Sequence, residues 1–259
     1  MPLTLTDLLA LERIDRDLYR SAPASDSGGR LFGGVIAAQA LAAAGATVDP
    51  DRLPHSLHGY FLRGGDGASP TVLRVERDRD GRSFSARRVV VLQDGKVIFN
   101  MSSSFQLARE GIDQQADPVP TVEGPDGVPP FDVGLPAFSS VEARLPAQPF
   151  PDSEVPTRMW FRSREKLSDD PLAHACALTY MSDTLSVMAA FDPPSWRGAA
   201  SLDHAVWFHR PVRADEWLLM NLDPRSAAGG RGWYTGTIHS AEGILGASLA
   251  QEEVFMDRS

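Results

Sequence analysis

The chain has 259 residues, enough for one large domain or two of ordinary size. Its 42% hydrophobic and 23% charged residues are typical of a globular protein, and a formal net charge of -9 argues against nucleic acid or an anionic membrane surface as a partner. The single cysteine, Cys176, excludes an intrachain disulfide.

Taken in order, residues 4–19 suit a short helix leading into a first strand near Leu18–Ser21. The first eleven residues lack the basic patch and cleavage site of a secretory signal, and no apolar run is long enough to span a bilayer, so a cytoplasmic location without membrane insertion is expected. After a polar loop comes Leu31-Phe32-Gly33-Gly34, then an alanine-rich helix from Val35 to about Val48. That helix is apolar on nearly every face and is expected to be buried. Strand signals follow at His55–Arg63, Thr71–Arg77, Ser83–Leu92 and Lys96–Leu107. Asp80-Gly81 and Asp94-Gly95 separate the later ones, and Asp-Gly between β-rich runs is a strong hairpin signal.

Residues 109–156 differ in kind: they hold half of the chain's 20 prolines and show no sustained periodicity. They read as an extended linker between domains at 1–108 and 157–259. The second domain opens with a strand at Thr157–Arg164 and a helix expected to run unbroken from Asp170 to Phe191. Asp170 is a good N-cap, Pro171 fits the first helical position, and Asp192-Pro193-Pro194 stops the run. Cys176 lies inside it and is expected to be an inert thiol. In the middle of this apolar helix stands Asp183. Burying an ionised carboxylate costs several kcal/mol unless it is paired or hydrogen-bonded. A satisfied structural Asp, or one at a solvent edge, explains it as well as a functional one at this point. Strands are expected at Ala200–Arg210, Glu216–Pro224, Gly232–Ser240 and Ile244–Phe255.

The two halves repeat at a spacing near 148 residues. His55–Arg63 matches Leu202–Arg210 in length, with an aromatic-Phe-x-Arg ending in both; Asp94-Gly95 answers Glu242-Gly243, and Gly81 answers Gly229. A duplicated helix and antiparallel sheet gives an α+β double hotdog: two tandem hotdog domains, each a sheet wrapped around a long central helix. The repeat also serves as an internal control. Asp183 faces Val35, Gln251 faces Ser103, and Ser201 falls near Pro54, so three polar residues of the second half have unremarkable counterparts. This favours a functional Asp183.

Several stretches occur in an order shared with a known family. These are Leu31–Leu41, His55–Asp66, Asp80–Val89, Gln93–Gln106, Tyr180-Met181-Ser182-Asp183, Leu202–Pro211, Glu216–Leu219 and Ala247–Glu252. In them the chain resembles the acyl-CoA thioesterase II (TesB-like) family over both domains, the linker apart. The resemblance implies hydrolysis of fatty acyl-CoA to free fatty acid and CoA and assembly into a dimer or tetramer; with no Walker or dinucleotide-binding motif in the chain, no cofactor is expected. The resemblance also implies a catalytic trio in the second domain: Asp183, Ser201 in a place often held by Thr, and Gln251.

Such a trio suits direct attack by water. Asp183 is the candidate base, and Ser201 and Gln251 can hold and orient the water. Ser201 has no adjacent His, and the Gly-x-Ser-x-Gly elbow is absent, so an acyl-enzyme is not expected. Gly33 and Gly34 open a helix, where unpaired N–H groups can bind an oxyanion; a tight turn against the sheet explains them equally well. His204 and His209 lie five apart on a strand and point to opposite faces, His55 and His58 likewise diverge, and no metal site is expected. Trp207, Trp217 and Trp233 suit a core. Arg63, Arg82, Arg87, Arg88 and Arg210 are available for CoA phosphates, though a solvated role suits most of them. Two other readings compete: a hotdog enoyl-CoA hydratase, disfavoured because His174 stands nine residues before Asp183, and a non-catalytic acyl-CoA-binding or regulatory protein, disfavoured by the intact trio.

Overall fold

A computed structural model describes residues 3–25, 28–116, 118–134, 138–151, 155–183, 191 and 196–257. Helix α1 (Leu5–Leu9) opens on a reciprocal cap: Asp7 N–H donates to Thr4 Oγ1 (3.1 Å), and Thr4 N–H donates to Asp7 Oδ2 (3.1 Å). It is shorter than expected. Strands β1 (Leu11–Asp15) and β2 (Leu18–Ser21) form a hairpin turning at Asp17, whose φ is 58°. Helix α2 (Gly33–Gly45) begins two residues before Val35 and is buried along nearly its whole length. Strands β3 (Arg52–Phe61), β4 (Val72–Asp80), β5 (Phe84–Gln93) and β6 (Lys96–Leu107) fall where strand signals lie. The β5–β6 turn places Asp94 and Gly95 at φ 50° and 73°, the left-handed region that such two-residue hairpin turns require.

The proline-rich segment is more than a spacer. It carries a short 3₁₀ turn (Pro125–Gly127) and two strands, β7 (Pro130–Phe131) and β8 (Val141–Arg144). The alternation of Val141 and Ala143, buried, with Glu142 and Arg144 lets β8 pair with β9 (Arg158–Ser163). Side chains hold the segment to the second half: Trp160 Nε1 donates to Glu123 O (2.9 Å), and Gln115 Nε2 donates to Gly243 O (2.9 Å).

Helix α3 spans Pro171–Ser182, with Asp170 Oδ1 accepting from Leu172 N–H (3.0 Å) as its cap. The expected run to Phe191 is not continuous. Asp183 has φ -83° and ψ 74°, and is the residue at the helix end rather than at its middle. Thr179 Oγ1 donates to Ala175 O (2.8 Å), and Ser182 Oγ lies 3.0 Å from Thr179 O. Side chains that compete for helix carbonyls make Ser and Asp weak helix formers, which explains the stop. Residues 184–190 of the expected helix lie outside the described residues.

The expected strand Ala200–Arg210 is two strands, β10 (Trp196–Ser201) and β11 (Asp203–Phe208), separated at Leu202. Leu202 N–H donates to Glu252 O (2.8 Å), and its carbonyl accepts from Phe61 N–H (2.9 Å), so the break is held on both sides. Strands β12 (Leu218–Ala228), β13 (Arg231–Ser240) and β14 (Leu245–Asp257) complete the set.

All the pairings among described strands are antiparallel. They run in the order β1-β2-β4-β5-β6-β3-β11-β14-β13-β12-β9-β8-β7, with β10 also on β14. The halves join where β3 meets β11, His204 opposite Gly59 and Trp207 opposite Ser56. Helix α2 packs on β3–β6 and against α3, and residues of both halves share one core, including Leu41, Phe99, Val206 and Ile238. Close helix approach needs glycine: a Cβ on Gly34 would strike the carbonyl oxygen of Tyr180. The strands keep the 148-residue offset, but the described helical residues do not. Gly33 corresponds to position 181, where α3 is ending, so Val35 and Asp183 occupy different local structures.

Candidate active site

The end of α3, the start of α2 and the inner face of β10, β11, β13 and β14 converge on Asp183. Two donors approach the same carboxylate oxygen: Ser201 Oγ at 3.0 Å and Gln251 Nε2 at 2.5 Å, both on Oδ1. Oδ2 faces Gly33, the first residue of α2, where a Cβ would collide with it and with the Phe61 ring. Asp183 is buried, and the partial positive charge at the α2 N-terminus favours an anion there. The first-turn N–H groups of Gly33 and Gly34 have no acceptor within the helix.

Behind the trio lies a polar layer. Gln251 Oε1 accepts from Tyr234 Oη (2.5 Å) and stands 3.0 Å from His204 Nδ1. His204 Nε2 lies 2.8 Å from Ser182 Oγ. His204 and Tyr234 are fully buried, and burial holds the imidazole below its ordinary pKa, so the ring is neutral. Glu253, directly across from Ser201 on β14, is also fully buried, and neither of its carboxyl oxygens has a hydrogen-bond partner among the described residues. Burial, with the nearby charge of Asp183, pushes its pKa up to about 8.

A cavity of about 1160 Å³ opens onto this point. Asp183, Ser201 and Gly33 line it; Gln251, His204 and Tyr234 stand behind its wall. Arg30 and Arg63 line it with Gly28, Gly29 and Gly64, and so do the apolar Leu8, Ile36, Phe131, Met159 and Met220.

The structure thus brings Asp183, Ser201, Gln251 and Gly33 together; Gly34 follows Gly33 in the first turn of α2, with Tyr180 and Phe32 where a Cβ on it would lie. Ser201 and Gln251 hold the carboxylate, where the sequence suggested that they hold the water. His204, set aside in the sequence as a metal ligand, is part of the site. The alternation of β14 could have revealed Glu253, two residues beyond Gln251 and so on the same face. Other readings change with their surroundings. Arg87 is not a surface cation: it is buried, bonded to Thr47 Oγ1 (2.7 Å) and Asp80 Oδ1 (2.6 Å). Arg88 pairs with Asp78 and Arg210 with Asp113. Trp207 and Trp233 are 37% and 44% exposed rather than core. His174 Nδ1 accepts from Ala214 N–H (3.1 Å), away from Asp183, which removes the pairing that a hydratase reading needs. Among the described residues no three His, Cys, Asp or Glu cluster as metal ligands, and no helix is long and apolar enough to cross a membrane.

Comparison with known proteins agrees on one group. The family model described as the acyl-CoA thioesterase N-terminal domain matches residues 21–106, and the one described as its C-terminal domain matches residues 113–255. Acyl-coenzyme A thioesterase 8 of Homo sapiens is 35% identical, over 96% of this chain and 88% of that protein. The crystal structure of an acyl-CoA thioesterase II, TesB2, from Mycobacterium marinum superposes with a TM-score of 0.84 at 41% identity, covering 98% of both chains. A protein with a hot dog fold from Alicyclobacillus acidocaldarius superposes with a TM-score of 0.83 at 22% identity over 98% of each chain, which shows the fold.

Proposed function

The chain belongs to the acyl-CoA thioesterase II (TesB-like) family and hydrolyses acyl-CoA thioesters, and from that premise we propose that Asp183 activates the attacking water directly. The observation that carries this reading is the asymmetry of its carboxylate. Ser201 and Gln251 occupy Oδ1, while Oδ2 is left toward the cavity beside Gly33.

In this scheme Oδ2 takes a proton from water as the hydroxide oxygen bonds to the thioester carbonyl carbon. The oxyanion forms at the α2 N-terminus, where the N–H groups of Gly33 and Gly34 are the candidate donors. The C–S bond then breaks, and the proton on Asp183 passes to the departing CoA sulfur, leaving free acid and thiol. Water rather than Ser201 is taken as the nucleophile because Ser201 and Gln251 share Oδ1, while Oδ2, on the cavity side beside Gly33, is the oxygen a water can reach. Arg30 and Arg63 suit the CoA phosphates, and the apolar lining residues suit the acyl chain.

The same reading extends to architecture. We take the chain as a double hotdog with domains at 1–108 and 157–259 and the segment 109–156 between them; the antiparallel order and the packing of α2 on β3–β6 support it. The outer sheet face, with Phe84, Tyr60, Trp207 and Trp233 exposed, supports self-association into a dimer or tetramer.

Release of free CoA, followed with a thiol reagent, tests the mechanism. Asp183→Asn keeps the shape of the side chain but cannot take the proton, and general-base catalysis is worth about 10²–10⁴-fold. A loss of that size in kcat, in a protein that melts like the wild type, is expected. Turnover within a few-fold of wild type would sink the mechanism.

A further inference from the structure

Gln251 reaches Asp183 only if its amide is turned one way round. The nitrogen must face Oδ1, because a carbonyl oxygen there would meet a carboxylate. The amide oxygen then needs donors of its own, buried as it is behind the cavity wall. Three neighbouring strands supply them. Tyr234 is the register partner of Gln251 on β13, and its hydroxyl lies 2.5 Å from Oε1. His204 comes from β11, on the other side of β14, with Nδ1 3.0 Å from the same oxygen. Since Oε1 is only an acceptor, Nδ1 carries the proton. With the ring neutral, Nε2 is bare, and the single Ser182 hydroxyl proton goes to it at 2.8 Å rather than to Thr179 O at 3.0 Å. Ser182 is the last residue of α3, next to Asp183, so the layer runs from the helix end back to the carboxylate it precedes.

We propose that His204 and Tyr234 are positioning residues for the hydrolysis: by filling the acceptor oxygen of Gln251 they hold its amide nitrogen on Asp183 Oδ1, leaving Oδ2 as the oxygen presented to water. Neither residue lines the cavity, so neither touches substrate. Their effect passes through Gln251 and therefore appears in kcat, not in the binding of acyl-CoA. The inference rests on the assignment of Asp183 as base and Gln251 as its partner.

The test is a set of double-mutant cycles. Tyr234→Phe, His204→Gln and His204→Asn are made alone and together with Gln251→Ala; kcat and KM are measured with one acyl-CoA, and folding is followed by thermal melting. Loss of one neutral hydrogen bond predicts a fall of about 3- to 10-fold in kcat for Tyr234→Phe and His204→Gln, with KM unchanged. His204→Asn places an amide near the former Nδ1 and should recover most of the loss. The decisive readout is the background. Once Gln251→Ala is present, Tyr234→Phe should cost nothing further.

Losses that multiply in the double variant would overturn the inference, as would a raised KM at unchanged kcat. If the His204 variants melt far below the wild type, Tyr234→Phe decides the matter, since it removes a single oxygen. Gln251→Ala with normal turnover would defeat the assignment of Gln251 and this inference together. Impaired Gln251→Ala with multiplying losses would defeat the inference alone.

Discussion

Glu253 gives a test whose size follows from its surroundings. It is fully buried on β14, opposite Ser201, with no hydrogen-bond partner among the described residues, and its pKa rises from an ordinary 4.5 to about 8. Burial is the larger cause and the charge of Asp183 the second. For an acid with a raised folded-state pKa, the folded protein keeps a proton that the unfolded chain has released. Stability therefore falls as pH climbs through the interval between the two values. Each pKa unit corresponds to about 1.4 kcal/mol, so the penalty reaches ~3 kcal/mol at neutral pH and ~5 kcal/mol once the folded carboxyl ionises. Glu253→Gln has nearly the same shape and no charge to lose. Urea unfolding of both proteins across this range should show the variant gaining on the wild type by about 1.4 kcal/mol per pH unit, whatever the constant offset from burying an amide. Stability curves that stay parallel from mildly acid to mildly alkaline pH would refute the reasoning.

Gly33→Ala should remove most turnover while the protein stays folded, because the added methyl occupies the space between Asp183 Oδ2 and Phe61; wild-type kcat from a folded variant would contradict the placement of water there. Gln251→Ala should lower kcat while Ser103→Ala leaves it near normal, since Ser103 is buried in β6 with no hydrogen-bond partner and no carboxylate at Val35; equal losses in parallel assays would defeat a single-site enzyme. Light scattering at micromolar concentration should report a species larger than the 28.1 kDa chain, with Trp207→Glu shifting it downward. A monomer throughout would remove the role given to the outer face.

The parts legible in the sequence are those encoded locally. β6 begins and ends where its residues indicate, because alternation, the Asp94-Gly95 turn and the following loop agree. The trio stood out because an internal copy lacks it. What escaped is encoded by partners distant in the chain. His204 looks like one strand histidine among several until Gln251, 47 residues away, is brought beside it. Arg87 resembles a surface cation until Thr47 supplies a buried acceptor. At Asp183 the downstream prolines suggested an unbroken helix, but the side chain of Thr179 competes for a helix carbonyl first. The segment before β9 showed many prolines, which masked the short alternation at Val141–Arg144.

The pairing of β14 with its neighbours has a consequence for how such a chain can change. Gln251, Glu253 and Tyr234 share the inner face only because side chains alternate with a period of two, and the register sets Gln251 beside Tyr234 and Glu253 beside Ser201. Deleting one residue between Ile244 and Ala250 would turn both acceptor and amide toward solvent and bring Glu252 inward. Conservative replacements along that stretch leave the frame intact, whereas length itself is the constrained quantity. The strands around Asp183 must therefore keep their count of residues, whereas exposed loop positions such as 108–112 carry no such register.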